Sequence, residues 1–198
     1  MKTIIISSNN KDKVNQIKNK ILPLNLGIEL KSLADLNLED EPSEDGKTYK
    51  ENALIKARYT FSKFGLPSLA DDSGFELEAL NGFPSIVSAR FAKACGGYEQ
   101  AFAIIDKCLG ENRKALFCTT LAFIYKKNNK IIEKTFEGKI FGEFVYPPRG
   151  THGFAYCPCF KPNGYEKTFS EIPDSLREFI NHRELALNKF CNFLKKIT

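Results

Sequence analysis

The stretch Thr3-Ile-Ile-Ile-Ser-Ser-Asn-Asn-Lys-Asp-Lys-Val-Asn-Gln-Ile-Lys-Asn-Lys-Ile21 decides the fold class. It opens with a run of β-branched residues, Thr3 to Ile6, which predicts a buried strand. After a polar break, apolar residues recur three and four positions apart at Val14, Ile17 and Ile21, which is typical of an amphipathic helix. A strand, a polar turn and a helix in this order indicate the first unit of an α/β fold.

The rest of the chain continues this alternation of strands and helices. Further strands are predicted at 28–33, 66–70, 115–125 and 130–141, the last two on either side of a hairpin-type turn. Further helices are predicted at 49–64, at 98–109 and at the C-terminus through Leu187, Phe190, Leu194 and Ile197. The remaining segments are expected to be turn-rich or irregular: the acidic 34–48, then 81–89 and 146–162. No repeat or linker interrupts the chain, so residues 1–198 are predicted to form one domain.

Composition excludes several classes of protein. The chain has 198 residues, 42% of them hydrophobic, with 17 Phe and 7 Tyr, so it is not a disordered protein. No run approaches the roughly 18 apolar residues of a membrane span, and the opening apolar run is too short for a signal peptide. We therefore expect a cytoplasmic protein with no membrane partner.

The charge of the chain says little about its ligand. A net charge of +5 suits a polyanionic ligand, but the basic residues are interleaved with acids. Nucleic acid is not expected as a partner, because no clustered basic stripe is present. An RNA-binding protein therefore stands as the weakest of the functional hypotheses.

Six cysteines do not form a metal or disulfide pattern. Cys157 and Cys159 form C-x-C, the other four are scattered, and the two histidines lie far from most of the cysteines. We predict reduced, mostly buried thiols and no zinc site.

The turn from Ser8 to Lys13 is the first candidate site. A helix start offers unpaired backbone N–H groups and a partial positive charge, both of which attract phosphate, and Lys13 adds a full charge. Ser and Asn before a helix also form an ordinary N-cap, and this turn alone favours the cap.

The acidic pair Asp71-Asp72, followed by Ser73-Gly74, is the second candidate. Two adjacent carboxylates at a strand end are costly unless a cation neutralises them, and Mg²⁺ binds through one or two carboxylates plus substrate phosphates. The alternative is a solvated Asp turn. The apolar strand directly before the pair favours the metal.

The helix predicted at 49–64 carries the third candidate, which includes Glu51, Asn52 and Lys56 with the nearby Glu44. Asn52 and Lys56 are four residues apart and share a face, so Lys56 could bind phosphate. An ordinary surface ion pair explains the same residues and is the better interpretation of this helix by itself.

Aromatic and basic residues near the C-terminus form the fourth candidate. Phe154 and Tyr156, with Lys167 and the pair His182-Arg183, would suit a flat base through stacking and hydrogen bonds. Equally, the aromatic residues could be core residues and His182-Arg183 a solvated helix start.

Taken together and in this order, these segments resemble the inosine triphosphate pyrophosphatase family over essentially the whole chain. The matching residues are Ser8, Asn10 and Lys13; Gly46, Thr48 and Glu51-Asn-Ala-Leu-Ile-Lys-Ala-Arg58; Leu66-Pro67 and Ala70-Asp-Asp-Ser-Gly74; Ser88-Ala-Arg90; Gly153-Phe154, Tyr156 and Pro158; Lys167-Thr168; and His182-Arg183. The block from Glu51 to Gly74 is the most specific part of the match.

The resemblance implies a fold, an activity and a set of roles. The fold is α/β, with an elongated mixed β-sheet, flanking helices and two lobes around a central cleft, in a homodimer. The activity is Mg²⁺-dependent hydrolysis of non-standard purine triphosphates (ITP, dITP, XTP) to the monophosphate and pyrophosphate. Glu44 and Asp72 would bind Mg²⁺, with Asp72 also the catalytic base. Residues implied to bind the triphosphate are Ser8, Asn9, Asn10, Lys11, Asp12, Lys13 and Lys56. Those implied to bind the nucleoside or line the cleft are Ser73, Arg90, Phe154, Ala155, Tyr156, Cys157, Lys167, His182 and Arg183.

The base-side loop departs from the family pattern. The family usually reads Gly-Gly-Phe-Gly-Tyr-Asp-Pro where this chain has His152-Gly-Phe-Ala155-Tyr-Cys157-Pro, and Gln16 replaces a usual Glu. A thiol replaces a carboxylate, and Ala155 restricts a loop that usually has glycine. The alternative hypothesis is therefore a nucleotide-binding protein of the same fold with weak or altered activity.

Overall fold

The computed structural model of the chain describes residues 2–38, 40 and 42–198. Its strands are β1 (Thr3–Ile6), β2 (Glu29–Ser32), β3 (Ser68–Leu77), β4 (Pro84–Ser85), β5 (Lys114–Lys127), β6 (Lys130–Phe144) and β7 (Phe160–Pro162). Its α-helices are α1 (Lys11–Ile21), α2 (Tyr49–Phe64), α3 (Ser88–Ala94), α4 (Tyr98–Cys108), α5 (Asp174–Ile180) and α6 (His182–Ile197). The strands form a mixed sheet in the order β2-β1-β3-β5-β6-β7, with β4 paired to β3. The predicted α/β class with a mixed sheet and flanking helices is confirmed.

The chain divides into two compact units. The first unit comprises Met1–Asp72, Thr119–Glu137 and Ala186–Thr198, and the second comprises Ser73–Cys118 and Gly138–Leu185. In the first unit β1 pairs in parallel with both β2 and β3, and Ile6 is the register partner of Leu69. This pairing places the end of β1 beside the start of β3, so the turn after β1 lies next to the part of β3 that continues towards Asp71 and Asp72.

The first unit has an aliphatic core. The apolar face predicted for the first helix is buried through Val14, Ile17 and Ile21, which pack in one cluster with Ile4 and Ile6 of β1. The C-terminal helix closes this cluster with its predicted apolar face: Leu187, Phe190 and Leu194. Burying such side chains contributes about 1.5–3 kcal/mol each, which anchors the turn between β1 and α1.

The second unit has an aromatic core. Phe75 of β3 stacks on Tyr156 with 4.7 Å between the ring centroids and 13° between the planes. Phe160 meets Phe75 edge-on at 6.0 Å. Here β4 runs antiparallel to β3, and β7 antiparallel to β6. The core therefore fixes both β3 and the loop that carries Tyr156.

The structure corrects several predicted boundaries. The C-terminal boundary of the strand predicted at 66–70 is wrong, because β3 continues through the acidic pair to Leu77. Helix α3 lies at the end of the predicted turn-rich segment and beyond it, and α5 was not predicted. Segment 34–48 contains a 3₁₀ turn at Ala34–Leu36, and its acidic residues Glu39 and Glu41 lie outside the described residues.

The hairpin-type turn is confirmed. β5 and β6 are neighbours in the sheet, and only Asn128 and Asn129 separate them. These residues have φ of 50° and 61°, the left-handed conformation that a two-residue type I′ turn requires and that asparagine tolerates.

Two findings concern the predicted cellular context. Four of the six thiols are buried, namely Cys118, Cys157, Cys159 and Cys191. No helix in the part of the chain that the structure describes has the length and apolar content needed to cross a bilayer.

Asp35 gives the first unit a measurable acid sensitivity. Its carboxylate accepts a hydrogen bond from Ser32 N (2.8 Å) and forms an ion pair with Lys18 Nζ (3.0 Å). These interactions lower the pKa of Asp35 to about 2. Because the pKa of Asp35 is lower in the folded than in the unfolded state, its ionised carboxylate stabilises the fold at pH values above the unfolded-state pKa. This stabilisation is lost as the pH falls through the folded-state pKa. We therefore expect Asp35→Asn to be less stable than the unsubstituted protein at pH 7, with the difference vanishing towards pH 2. Urea unfolding at several pH values measures it, and a difference that persists at pH 2 contradicts the prediction.

Candidate active site

The turn between β1 and α1 forms a helix N-terminus with its cap in place. Asn10 is the N-cap of α1, and its side chain accepts a hydrogen bond from Lys13 N at 3.1 Å. Ser8 is buried, and its hydroxyl accepts from Asn10 N at 3.2 Å. Asn9, Lys11 and Asp12 are exposed. The N-cap interpretation is thus confirmed for Asn10, and the helix start remains available to an anion.

Lys13 forms an ion pair with Asp71. The Lys13 ammonium contacts Asp71 Oδ1, and the Asp71 side chain is fully buried. Because β1 and β3 are parallel neighbours, the turn after β1 lies beside the acidic pair on β3. The carboxylate therefore fixes the ammonium at the start of α1.

A buried ionic cluster joins Glu44, Lys56 and Asp72. Lys56 Nζ lies 2.7 Å from Glu44 Oε1 and 3.0 Å from Asp72 Oδ1. The side chains of Lys56 and Asp72 are 7% and 8% exposed, and that of Glu44 is 31% exposed. The predicted alternative, a surface ion pair, is wrong for Lys56, since its ammonium sits between two carboxylates inside the unit.

Burial and charge act in opposite directions on the pKa values of this cluster. For Lys56, burial lowers the pKa, but the charges of Asp72 and Glu44 outweigh it and raise the pKa above the ordinary value. For Asp72, burial raises the pKa, and the attraction of Lys56 offsets only part of this rise. Lys56 therefore stays protonated, and the Asp72 carboxylate is a stronger base than a solvated one.

The carboxylates fit a hard divalent cation. Asp72 Oδ2 is buried and has no hydrogen-bond partner among the described residues, so one oxygen remains for a further cation. A buried carboxylate oxygen without a partner is costly, and oxygen ligands of this kind are those that Mg²⁺ prefers. No cluster of three or more His, Cys, Asp and Glu side chains suited to a metal occurs in residues 2–38, 40 and 42–198. Two carboxylates with substrate phosphates are the ligand set that Mg²⁺ commonly uses.

Two hydroxyl groups connect the end of β1 to α2. Ser7, at the end of β1, donates to Lys56 O at 3.0 Å, and its hydroxyl lies 2.6 Å from that of Thr60. Both side chains are buried. The backbone of Lys56 is therefore fixed against the strand that leads into the turn.

In the second unit, His182 and Arg183 are buried at the start of α6. The His182 ring stacks on Phe117 with centroids 4.7 Å apart and planes at 6°. Arg183 is 2% exposed, and its Nη2 donates to Ser73 Oγ at 3.3 Å. The predicted alternative of a solvated helix start is wrong for both residues.

The remaining predicted residues of the second unit differ in their surroundings. Tyr156 is a core residue, stacked on Phe75 with its hydroxyl donating to Ser88 O at 3.1 Å. Phe154 and Ala155 are partly buried. Cys157 is buried, and burial raises the pKa of its thiol, which is therefore neutral near pH 7. Arg90 and Lys167 are exposed.

Sequence reasoning missed three contributors to the site. The sequence predicts Asp71 as half of a metal-binding pair or as part of a solvated turn, whereas its carboxylate pairs with Lys13; it does not single out Ser7 or Thr60. The spacing of Lys56 and Thr60, one helical turn apart on the face that carries Asn52, is the signal that could have identified Thr60.

Ala155 carries backbone strain that a substitution can relieve. Its φ is +55°, in the left-handed region that costs a non-glycine residue roughly 1–2 kcal/mol. Glycine removes that cost but loses about 0.4–1 kcal/mol through the entropy of the unfolded chain. We expect Ala155→Gly to raise the free energy of unfolding by about 0.5–1 kcal/mol. Denaturant titration measures it, with Ala89, exposed in α3, replaced by glycine as the control that should lose stability. A loss of stability in Ala155→Gly contradicts the prediction.

Comparisons with known proteins agree on one family. The sequence profile of the Ham1 family matches residues 4–193. A dITP/XTP pyrophosphatase of Rhizobium meliloti (strain 1021) is 36% identical over 208 residues, covering 96% of this chain and 94% of the relative. One from Thermoanaerobacter pseudethanolicus is 37% identical over 199 residues, covering 98% and 96%. The solved structure of the Staphylococcus aureus Ham1 protein has a TM-score of 0.87 and 30% identity, covering 100% of both chains.

Proposed function

Since this chain belongs to the Ham1 family, we propose that it is a nucleoside triphosphate pyrophosphatase that hydrolyses non-standard purine triphosphates, such as ITP, dITP and XTP. The products are the monophosphate and pyrophosphate, so the activity removes altered purines from the nucleotide pool. The observation that supports this proposal best is the buried cluster of Glu44, Lys56 and Asp72 with its unpartnered carboxylate oxygen.

The first unit supplies the groups for phosphoryl chemistry. Water attacks the α-phosphorus, the bond from that phosphorus to the bridging oxygen breaks, and pyrophosphate leaves. Asp72 accepts the proton of the attacking water. Lys13 and Lys56 stabilise negative charge on the phosphoryl oxygens, and the N–H groups at the start of α1 bind the triphosphate. Glu44 and Asp72 would hold Mg²⁺, which when bound would supply Lewis-acid stabilisation of the same charge.

The second unit supplies the groups for base recognition. Arg183 and His182 would donate hydrogen bonds to the 6-oxo group of hypoxanthine or xanthine. Adenine presents an amine donor at this position, so two donors would face each other, and such a mismatch can cost a factor of ~10⁴. Ser73 would contact the nucleoside, and its hydroxyl already accepts a hydrogen bond from Arg183.

The cofactor, assembly and location are part of the same proposal. Mg²⁺ is the cofactor that two carboxylates and a triphosphate would bind. The family resemblance supports a homodimer, and housekeeping of the nucleotide pool supports a cytoplasmic location.

Pyrophosphate release tests the function directly. The purified protein is assayed with dITP, XTP, ITP, ATP and GTP, each with Mg²⁺ and with EDTA. We expect release from the first three in Mg²⁺ only, and turnover of ATP as fast as that of ITP overturns the proposed specificity. Tight binding of XTP without release supports the nucleotide-binding alternative, and a large gain of rate in Cys157→Asp then locates the defect in the base-side loop.

A further inference from the structure

The loop that carries Glu44 is attached to α2 by a buried amide. Gly46 N donates to Asn52 Oδ1 at 2.9 Å, and Asn52 has no exposed surface. Gly46 follows Glu44 by two residues, so this bond fixes the backbone next to the carboxylate. Asn52 lies one helical turn before Lys56, whose ammonium contacts Glu44 at 2.7 Å.

The fit between Gly46 and Asn52 leaves no room for a larger residue. A β-carbon at position 46 would lie 2.6 Å from Asn52 Oδ1 and 2.7 Å from Glu51 Cβ. A β-carbon essentially never lies this close to another heavy atom, so a side chain at position 46 would push the loop away from the helix. Glycine is needed here for close approach.

Helix formation by itself does not require Asn52. The N-terminus of α2 is already capped: Thr48 accepts from Glu51 N at 3.1 Å, and Glu51 accepts from Lys47 N at 2.6 Å. Asn52 N is bonded within the helix to Thr48 O. Asparagine is also a poorer helix former than alanine or leucine. Its buried side chain therefore acts on the loop.

We propose that Asn52 is a positioning residue that, through Gly46, holds Glu44 in place for the divalent cation. This inference rests on the proposed function, which assigns Glu44 to the metal. Without Asn52, the Glu44 side chain keeps its contact with Lys56, but the positive charge of Lys56 opposes cation binding at the same carboxylate. Partners that orient metal ligands change metal affinity by about 10–100-fold, so we expect a loss in that range.

The test uses the full-length protein with Mn²⁺ as the probe. Binding of Mn²⁺ to the substrate-free protein is followed by electron paramagnetic resonance, and hydrogen exchange reports the Gly46 amide. We expect Asn52→Leu and Gly46→Ala each to weaken Mn²⁺ binding about tenfold or more. In Asn52→Leu, the Gly46 amide should also exchange its hydrogen faster. Because both substitutions disrupt the same contact, the double variant should bind Mn²⁺ no more weakly than the weaker-binding single variant.

Thr48→Ala is the matched control. It removes the cap of the same helix and costs about 0.5–2 kcal/mol of stability, but it leaves the bond between Gly46 and Asn52. We expect its Mn²⁺ affinity to stay within about twofold of the unsubstituted protein. Equal losses in Asn52→Leu and Thr48→Ala, additive losses in the double variant, or no Mn²⁺ binding by the unsubstituted protein would each overturn the inference.

This experiment separates the positioning role from the proposed function. The function fails if the unsubstituted protein releases no pyrophosphate from dITP or XTP. The positioning role fails if Mn²⁺ affinity does not respond to Asn52 or Gly46. Activity and metal affinity are measured independently, so each failure has its own signature.

Discussion

Replacing Asp72 with asparagine is expected to lower pyrophosphate release from dITP or XTP by about a thousandfold or more, with the fold intact. A positioned base contributes roughly 10²–10⁴ in rate, and Asp72 is also a proposed ligand of the metal. The amide keeps the shape of the side chain but cannot accept the proton of the attacking water. Lys56 retains its contact with Glu44 at 2.7 Å, so its buried ammonium still has a partner.

The measurement is steady-state kinetics with a stability control. Glu133→Gln makes the same chemical change at the carboxylate that pairs with Arg58 in the first unit, at 2.7 and 2.8 Å. We expect this control to keep its activity within about twofold, because an exposed ion pair contributes little. Near-normal turnover in Asp72→Asn would remove Asp72 from the catalytic role, and a lost thermal transition would show that the variant fails to fold.

Local patterns in the sequence predicted the helices that have one apolar face. α2 begins and ends at the predicted residues, Tyr49 and Phe64, because its apolar periodicity and its Thr48 cap agree. Gly65 in the left-handed conformation then ends the helix. Such signals lie within a few residues of each other, so no knowledge of the tertiary fold is needed.

The end of β3 depended on residues distant in sequence. Asp71-Asp72-Ser73-Gly74 has the composition of a turn, yet β3 continues through it. β1 pairs with β3 just before this segment, at Ser68 and Leu69, and β4 pairs just after it, at Phe75 and Glu76. The ammonium groups of Lys13 and Lys56 neutralise the two carboxylates. Tertiary interactions therefore override the local turn preference.

The sequence motifs selected Lys13, Lys56, Glu44 and Asp72 as candidate site residues, but they did not predict the ion pairs that these residues form. Which carboxylate each lysine contacts depends on the register between β1 and β3 and on the direction of α2, and single-sequence patterns do not contain either. His182 and Arg183 show the same limit, since a helix start reads as solvated until its neighbours are known.

Replacing Lys56 with methionine is the second change with a large expected effect. It leaves Glu44 and Asp72 as neighbouring carboxylates without their ammonium, and breaking a buried ion pair typically costs about 3–5 kcal/mol. The partial exposure of Glu44 lets solvent screen its charge. In metal-free buffer we therefore expect the free energy of unfolding to fall by about 3 kcal/mol, the lower end of this range. Methionine is unbranched and one atom shorter than lysine, so the loss of stability reports charge more than packing.

The same variant should respond more strongly to metal. If Glu44 and Asp72 hold Mg²⁺ as proposed, the cation competes with the Lys56 ammonium, which contacts both carboxylates in the unsubstituted protein. Without the ammonium, Mg²⁺ binds the folded state more tightly, and a ligand that binds only the folded state stabilises it. Urea unfolding with and without Mg²⁺ should therefore show a larger gain in Lys56→Met than in the unsubstituted protein. Lys63→Met, on the same helix but over the Tyr59 ring, is the control and should shift stability by about 0.5 kcal/mol or less. If Mg²⁺ stabilises all three proteins equally, the two carboxylates are not its ligands.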